Sequence, residues 1–363
     1  MADSLIYIPD ISGFTNFVNN TEISHAQHII SELLEVIIDA NILGMEVSEV
    51  EGDAVLFYKL NEVPPVSNII SQTEKLFIAF HAHLKKYNTE RICHCGACSN
   101  ASALSLKVIV HAGEIGFTIV KDKRKPFGPT LVLAHRLLKN DLEENEYLIL
   151  TDAIFPNKKA TDQKLFPWVT LKSKNAEYDG NVIHFNYVPL SSLHDKVPDP
   201  APLPPPAKIP NPVKKEITIS KPLNFVFELV TNLDLRLLWR KDINELDYEK
   251  NQLNRVGTKH RCLFNGGFVD LETIVNDFGD NIMVYGERFT SAPFAKEITF
   301  YFILTTNDSG TKIQMEGHYQ LKPYWGWIFI PLIRKILNKN MTNTLQKLKS
   351  YCDSTDDIVY ATI

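Results

Sequence analysis

No stretch of this chain reaches the roughly 20 consecutive apolar residues that a membrane-spanning helix needs, so no transmembrane segment is expected. The first residues, MADSLIYIPD, lack a basic segment followed by an apolar core. No signal peptide is read there, and the cytoplasm is the expected location. Cysteine is scarce: five in 363 residues, three of them crowded together, which does not suggest a disulfide framework. Positive charge is not in excess either. Thirty-eight Lys and Arg against 43 Asp and Glu leave a net charge of −5, so nothing draws the chain globally to nucleic acid, and no nucleic-acid partner is expected. What remains is an ordinary globular composition, 44% hydrophobic and 22% charged, with length for two domains that each bury a core.

The chain is organised around its first 58 residues. LIYIPDI reads as a buried strand stopped by Asp10 and the turn residues Ser12-Gly13. Ser24 to Ala40 repeats apolar residues at three- and four-residue spacing, the pattern of an amphipathic helix. MEVSEVEGDAVLFYKL then divides into two short strands folded at Glu51-Gly52-Asp53, where Gly52 supplies the freedom a hairpin turn requires. In such a strand–helix–hairpin the end of the first strand and the hairpin turn can lie side by side, which would bring Asp10 and Asp53 to one divalent cation. Mg²⁺ commonly takes one or two protein carboxylates and fills its shell with water and substrate phosphate. Read one at a time, Asp10 could equally be a helix cap and Asp53 a turn residue.

DISGFT followed some forty residues later by EGDAVLFY resembles the class III nucleotide cyclases, whose two metal-binding aspartates sit in those motifs. VIVHAGEIG (108–116) and FGPTLVLAHRL (127–137) are similar to the family's next strand and turn and to its arginine-bearing helix. The resemblance covers about the first half of the chain. It implies two Mg²⁺ or Mn²⁺ ions bridged by Asp10 and Asp53, with the Ile11 carbonyl as an added ligand, and a purine nucleoside triphosphate as substrate. The family completes each site with residues of a partner subunit, so a homodimer is implied. Arg136 falls at the family's transition-state arginine, Glu49 at its base-selecting position and Lys125 at that residue's partner, where the family has aspartate or cysteine. Val132 stands where the family has a ribose-orienting asparagine, and Asp179 near its triphosphate-binding lysine. The metal half of the site is therefore complete and the partner half degenerate.

Further along, Asn68 to Tyr87 reads as a second amphipathic helix. RICHCGACSNAS follows as a polar, cysteine-rich loop. Cys93, Cys95 and Cys98 would suit a tetrahedral structural zinc, with His94, His81 or His83 as fourth ligand; three thiols in a loop without metal is the other reading. A hairpin with KDKRK (121–125) at its tip is read as a solvated turn or as a cationic arm near a triphosphate. A helix over Leu131 to Asn140, the strand EYLILTD and a closing hairpin over VTLKSKNAEYDGNVIHFNYV complete this half. VPDPAPLPPPAKIPNP is then a proline-rich linker with no means of forming a core.

Beyond it come a strand, one helix over Leu223 to Trp239, five strands alternating apolar and polar residues, and a long final helix with Ile333, Ile336, Leu337, Met341, Leu345 and Leu348 on one face. This order resembles the START-like helix-grip fold, which implies a curved antiparallel sheet gripping the last helix around a cavity for an apolar small molecule. PYWGWIFIPLIRK is expected to pack into that core, with an interfacial membrane anchor as the alternative. The expected fold class is thus α+β: a ferredoxin-like nucleotide cyclase fold over 1–192, a linker over 193–212, a START-like ligand-binding domain over 213–353 and a tail over 354–363. Two functions follow. One is a divergent cyclase making a cyclic 3′,5′-monophosphate and pyrophosphate, regulated by the C-terminal ligand. The other is an inactive cyclase-fold protein that senses a nucleotide or an apolar ligand. A diguanylate cyclase is disfavoured, because no Gly-Gly-Asp/Glu-Glu-Phe sequence occurs.

Overall fold

The apolar run at the start of the chain forms β1 (Ser4–Ser12), buried over all but its last residue. The computed structural model describes residues 3–356 except 94, 156–165, 179, 203–210, 251, 275–277, 280–281, 290–294 and 323–325. It is α+β and divides into two compact units, one of residues 1–88 and 95–200, the other of residues 201–363 with the short segment 89–94. Asp179, part of the proline-rich linker and the first three residues of PYWGWIFIPLIRK lie outside the described residues.

The first unit continues with α1 (Phe14–Asn19), α2 (Ile23–Asp39), β2 (Glu46–Glu51), β3 (Ala54–Lys59), α3 (Val66–Thr89), α4 (Gly96–Asn100) and β4 (Ser105–Gly113). Then come β5 (Gly116–Val120), β6 (Lys123–Phe127), α5 (Pro129–Leu137), β7 (Tyr147–Thr151), β8 (Lys172–Tyr178) and β9 (Asn181–Pro189). Seven strands form one sheet in the order β2-β3-β1-β4-β7-β9-β8. β1 pairs antiparallel with both β3 and β4, while β4 and β7 run parallel, joined by a crossover that contains α5. Alternation along β1 decides what each face meets. Ile6 and Ile8 pack with Ala134 and Leu137 of α5, whereas the Tyr7 hydroxyl bonds Thr73 of α3 at 3.0 Å on the other face. Asp10, two residues past Ile8, therefore belongs to the α5 side. Gly13 then turns the chain at φ 88°, a conformation that favours glycine.

Two details differ from the sequence reading. The cysteine-rich segment is not all loop: it folds into α4, with the Cys95 sulfur accepting the Cys98 N–H as a serine or aspartate would at a helix start. In the basic hairpin, residues 123–125 are strand, and the turn is confined to residues 121–122.

The second unit holds β10 (Val213–Ile219), α6 (Leu223–Thr231), α7 (Leu233–Trp239), β11 (Glu245–Asp247), β12 (Lys259–Phe264), β13 (Gly267–Thr273), β14 (Phe278–Gly279), β15 (Ile282–Phe289), β16 (Ala295–Asn307), β17 (Gly310–Leu321) and α8 (Ile330–Ser354). The sheet is antiparallel, in the order β10-β17-β16-β15-β13-β12-β11, with β14 on β15. The expected single helix over Leu223–Trp239 is two, because extended Asn232 interrupts it and caps α7 by accepting the Asp234 N–H at 2.9 Å. On α8, Ile333, Leu337, Met341, Leu345, Leu348 and Cys352 are buried against the sheet. A Cβ at Gly317 of β17 would lie 2.9 Å from the Met341 sulfur, so the missing side chain lets the helix come close.

Ile336 does not join that stripe; it is 47% exposed, about a quarter-turn from Leu337. Core burial of the preceding stretch holds only in part: Ile333 is buried and Phe329 packs against the core, while other apolar residues face outward. Trp327, Ile328 and Leu332 are 67%, 49% and 45% exposed, because Ile328, Leu332 and Ile336 repeat at four residues just outside the buried stripe.

A charged cluster lies inside this second core. Arg236 and Glu287 form an ion pair, both nearly buried, and Glu287 also accepts from the Tyr285 hydroxyl at 2.8 Å and lies 3.3 Å from His260. Burial alone would push the Glu287 carboxyl up, but Arg236 and His260 overcome it and hold the group well below the usual carboxylate range. Glu287→Ala should leave the Arg236 charge uncompensated and destabilise the second unit by about 3–5 kcal/mol. The double change Arg236→Met with Glu287→Leu should recover most of that loss. Urea unfolding followed by circular dichroism measures both; a single variant as stable as the parent would refute the coupling.

Candidate active site

The β1–β3 ladder brings the two motif aspartates together. Asp10 stands opposite Ala54, and the Ile11 N–H donates to the Asp53 carbonyl at 2.9 Å. The hairpin that ends at Asp53 turns at Gly52, whose φ is 62°. On the other side of β1, Lys107 of β4 faces Asp10 in register, with its Nζ 3.2 Å from Asp10 Oδ1. Burial pushes the Asp10 carboxyl up, Lys107 pulls it back and the Asp53 charge raises it further. Asp53 is likewise raised by burial and lowered by Lys107. Asp10 thus feels the charge of Asp53, and Lys107 acts on both acids.

Both line a cleft of about 650 Å³ with Glu51, Lys107, Val132, His135 and Arg136. The α5 residues reach it because Asp10 lies on the α5 face of the sheet. Arg136 of the same chain therefore stands at the cleft of its own aspartate pair. Val132 is 53% exposed there, an alkyl group where the resemblance calls for a polar one. Buried Ile11 follows Asp10 on β1.

Glu49 and Lys125 come together outside the lining of this cleft. Lys125 Nζ is 2.9 Å from Glu49 Oε2, and this hydrogen bond raises the Lys125 pKa. The carboxylate expected to read a base thus already accepts from the residue at its partner position.

Among the described residues the histidine beside Cys95 and Cys98 is His25 of α2, not His81 or His83. His81 contacts Glu146 and His83 contacts Glu32, each at 2.7 Å, and His94 lies outside the described residues. His81, Glu146 and His194 form a second group able to hold a metal.

Lys107 and His25 were missed by sequence reasoning. Lys107 has a signal in hindsight: alternation in LKVIVHAG puts it on the face of Ile109, the face that carries Asp10. His25 has none, because only tertiary packing brings it to a loop seventy residues away.

Comparison with known proteins leaves the family open. Residues 30–147 match the model of a family described as "Protein of unknown function (DUF2652)", a stretch that includes Glu49, Asp53, Lys125 and Arg136 but not Asp10. The chain is 28% identical over 170 residues to "Uncharacterized protein Rv2561/Rv2562" of Mycobacterium tuberculosis, covering 47% of this chain and 78% of that one. Among solved structures, the catalytic core of a rhodopsin-guanylyl cyclase in complex with ATPalphaS is 14% identical, with a TM-score of 0.37, and covers 52% of this chain and 95% of its own. Protein MLL2253 from Mesorhizobium loti is 19% identical, with a TM-score of 0.32, over 40% of this chain and 99% of its own. No helix among the described residues is long and apolar enough to cross a membrane.

The raised carboxyl groups set a pH dependence. A carboxyl whose folded pKa exceeds its unfolded value binds protons more tightly when folded, so without metal the first unit should gain stability as pH falls through the folded pKa of Asp10. Mn²⁺ competes with those protons. The Mn²⁺-induced rise in melting temperature should therefore be largest at neutral pH and shrink over the same window. Thermal unfolding across pH, with and without Mn²⁺, tests this; an equal rise in the Asp10→Asn, Asp53→Asn double variant would place the ion elsewhere.

Proposed function

We propose that the N-terminal unit is a divergent nucleotide cyclase that takes a purine nucleoside triphosphate to its cyclic 3′,5′-monophosphate and pyrophosphate. The observation that carries this reading is the electrostatic coupling of Asp10 and Asp53 in one cleft with Lys107 and Arg136. Two acids whose pKa values burial raises, lining one cleft with one lysine beside them, are suited to divalent cations. Asp10 and Asp53 would hold two Mg²⁺ or Mn²⁺ ions, with the Ile11 carbonyl as a further donor. Such ions lower the pKa of an attacking hydroxyl and neutralise phosphate charge. Arg136 would donate its guanidinium N–H groups to the phosphoryl oxygens on which charge develops. Lys107, within reach of Asp10, would hold the carboxylates ionised before the ions arrive.

A homodimer with two equivalent sites fits the family resemblance. In the second unit we read a helix-grip domain. Its cavity of about 420 Å³ is lined by Phe300, Phe302, Met315 and Met341, with Arg236 and Glu287 also on its wall. Such a lining suits a small molecule that is apolar with one polar end, and its binding would tune the first unit.

Two observations favour a second reading, in which the protein binds nucleotide or ligand without turnover. Val132 can offer a ribose no hydrogen bond, and the Glu49 carboxylate is engaged by Lys125.

Incubation with each of the four ribonucleoside triphosphates and Mn²⁺ or Mg²⁺ separates the two. Product from a purine nucleotide should fall by roughly 10²-fold or more in Asp10→Ala and Asp53→Ala, the scale of losing a charge-stabilising group. Metal-dependent nucleotide binding without cyclic product supports the binding protein; absence of both overturns the two readings together.

A further inference from the structure

We propose that His25 and the cysteines of the 93–98 segment form a tetrahedral zinc site that fastens α4 to α2. His25 Nδ1 lies 3.2 Å from Cys95 Sγ and 3.5 Å from Cys98 Sγ. Cys93 and Cys95 are two residues apart, so their Cα atoms are held within about 7 Å by the chain itself. A zinc tetrahedron with Zn–S near 2.3 Å and Zn–N near 2.0–2.1 Å has edges of roughly 3.5–3.8 Å. The distances from His25 are already within a few tenths of an ångström of those edges, so small side-chain adjustments would complete the site. Three sulfurs and one imidazole form a soft donor set that selects zinc over magnesium or calcium.

The surroundings fit a closed structural site. His25 and Cys98 are buried, and Cys93 and Cys95 half-buried. The Cys98 N–H points at Cys95 Sγ over 3.4 Å, the kind of outer hydrogen bond that steadies a metal-bound thiolate. Glu22, just before α2, accepts the Ala97 N–H at 3.2 Å and holds the same two elements together from the side. α4 leads through residues 101–103 into β4, the strand that carries Lys107. The Ala103 carbonyl lies 3.8 Å from where a Cβ would stand on Gly13, the turn that follows Asp10. The zinc would thus brace the loop behind the aspartate pair without touching it. This inference is independent of the cyclase reading.

Elemental analysis of the full chain, purified without chelator, should give about one zinc per chain. Replacing zinc by Co²⁺ should produce thiolate-to-cobalt charge-transfer absorption in the near ultraviolet and tetrahedral bands in the visible. His25→Ala and Cys95→Ser should lose those bands, and His94→Ala should keep them. The spectrum of the wild-type chain stands even where a variant folds poorly. No bound zinc and no charge transfer, an unchanged spectrum in His25→Ala, or a disulfide among the three cysteines on non-reducing mass analysis would each overturn the site.

Discussion

Two carboxylates pressed towards each other by a β-ladder are the constraint on which the first unit turns. The β1–β3 register sets Asp10 beside the hairpin end at Asp53, and backbone hydrogen bonding holds that placement whatever the side chains prefer. Like charges so placed repel, and partial burial magnifies the repulsion because less water screens it. Lys107, set across from Asp10 by the β1–β4 register, relieves part of it. A carboxylate pair left with one lysine is a site that gains from a further cation. The cleft beside the pair is walled by α5 and lined also by His135 and Arg136.

The second unit shows the opposite solution to the same electrostatic problem. Glu287 is buried, yet its charge is kept, because Arg236, Tyr285 and His260 all point at it. There the compensation is internal and complete enough to lower the pKa rather than raise it. Buried charge in this protein is thus of two kinds, one already answered by the fold and one still open to a partner.

Much of the first unit was legible from periodicity and turn chemistry. LIYIPDI reads as a buried strand, since it is a short apolar run stopped by Asp10 and the turn residues Ser12-Gly13. Gly52 marked the hairpin and Gly13 the turn after β1, both with positive φ. Sequence reasoning failed where identity depends on partners far along the chain. It gave α8 one apolar residue too many, because helical spacing shows a stripe but not where its edge lies, and Ile336 falls just outside. It ran α6 and α7 together, because a single Asn can cap or continue a helix, and only local backbone conformation separates the two.

For the candidate site the division is similar. The types of residue and their order along the chain, aspartate, glycine-hinged hairpin, arginine-bearing helix, are properties of the sequence, since strand alternation and turn preference are local. Which charges meet is not local. Lys107 on Asp10, Lys125 on Glu49 and His25 among the cysteines arise from strand register and helix packing, which join residues 70 to 97 positions apart. The sequence by itself determined that two acids would sit at a strand end and a hairpin turn, and that three thiols would crowd into one short segment. Only the tertiary structure decided what stands next to them, because electrostatic partnership depends on distance in space and not on distance along the chain.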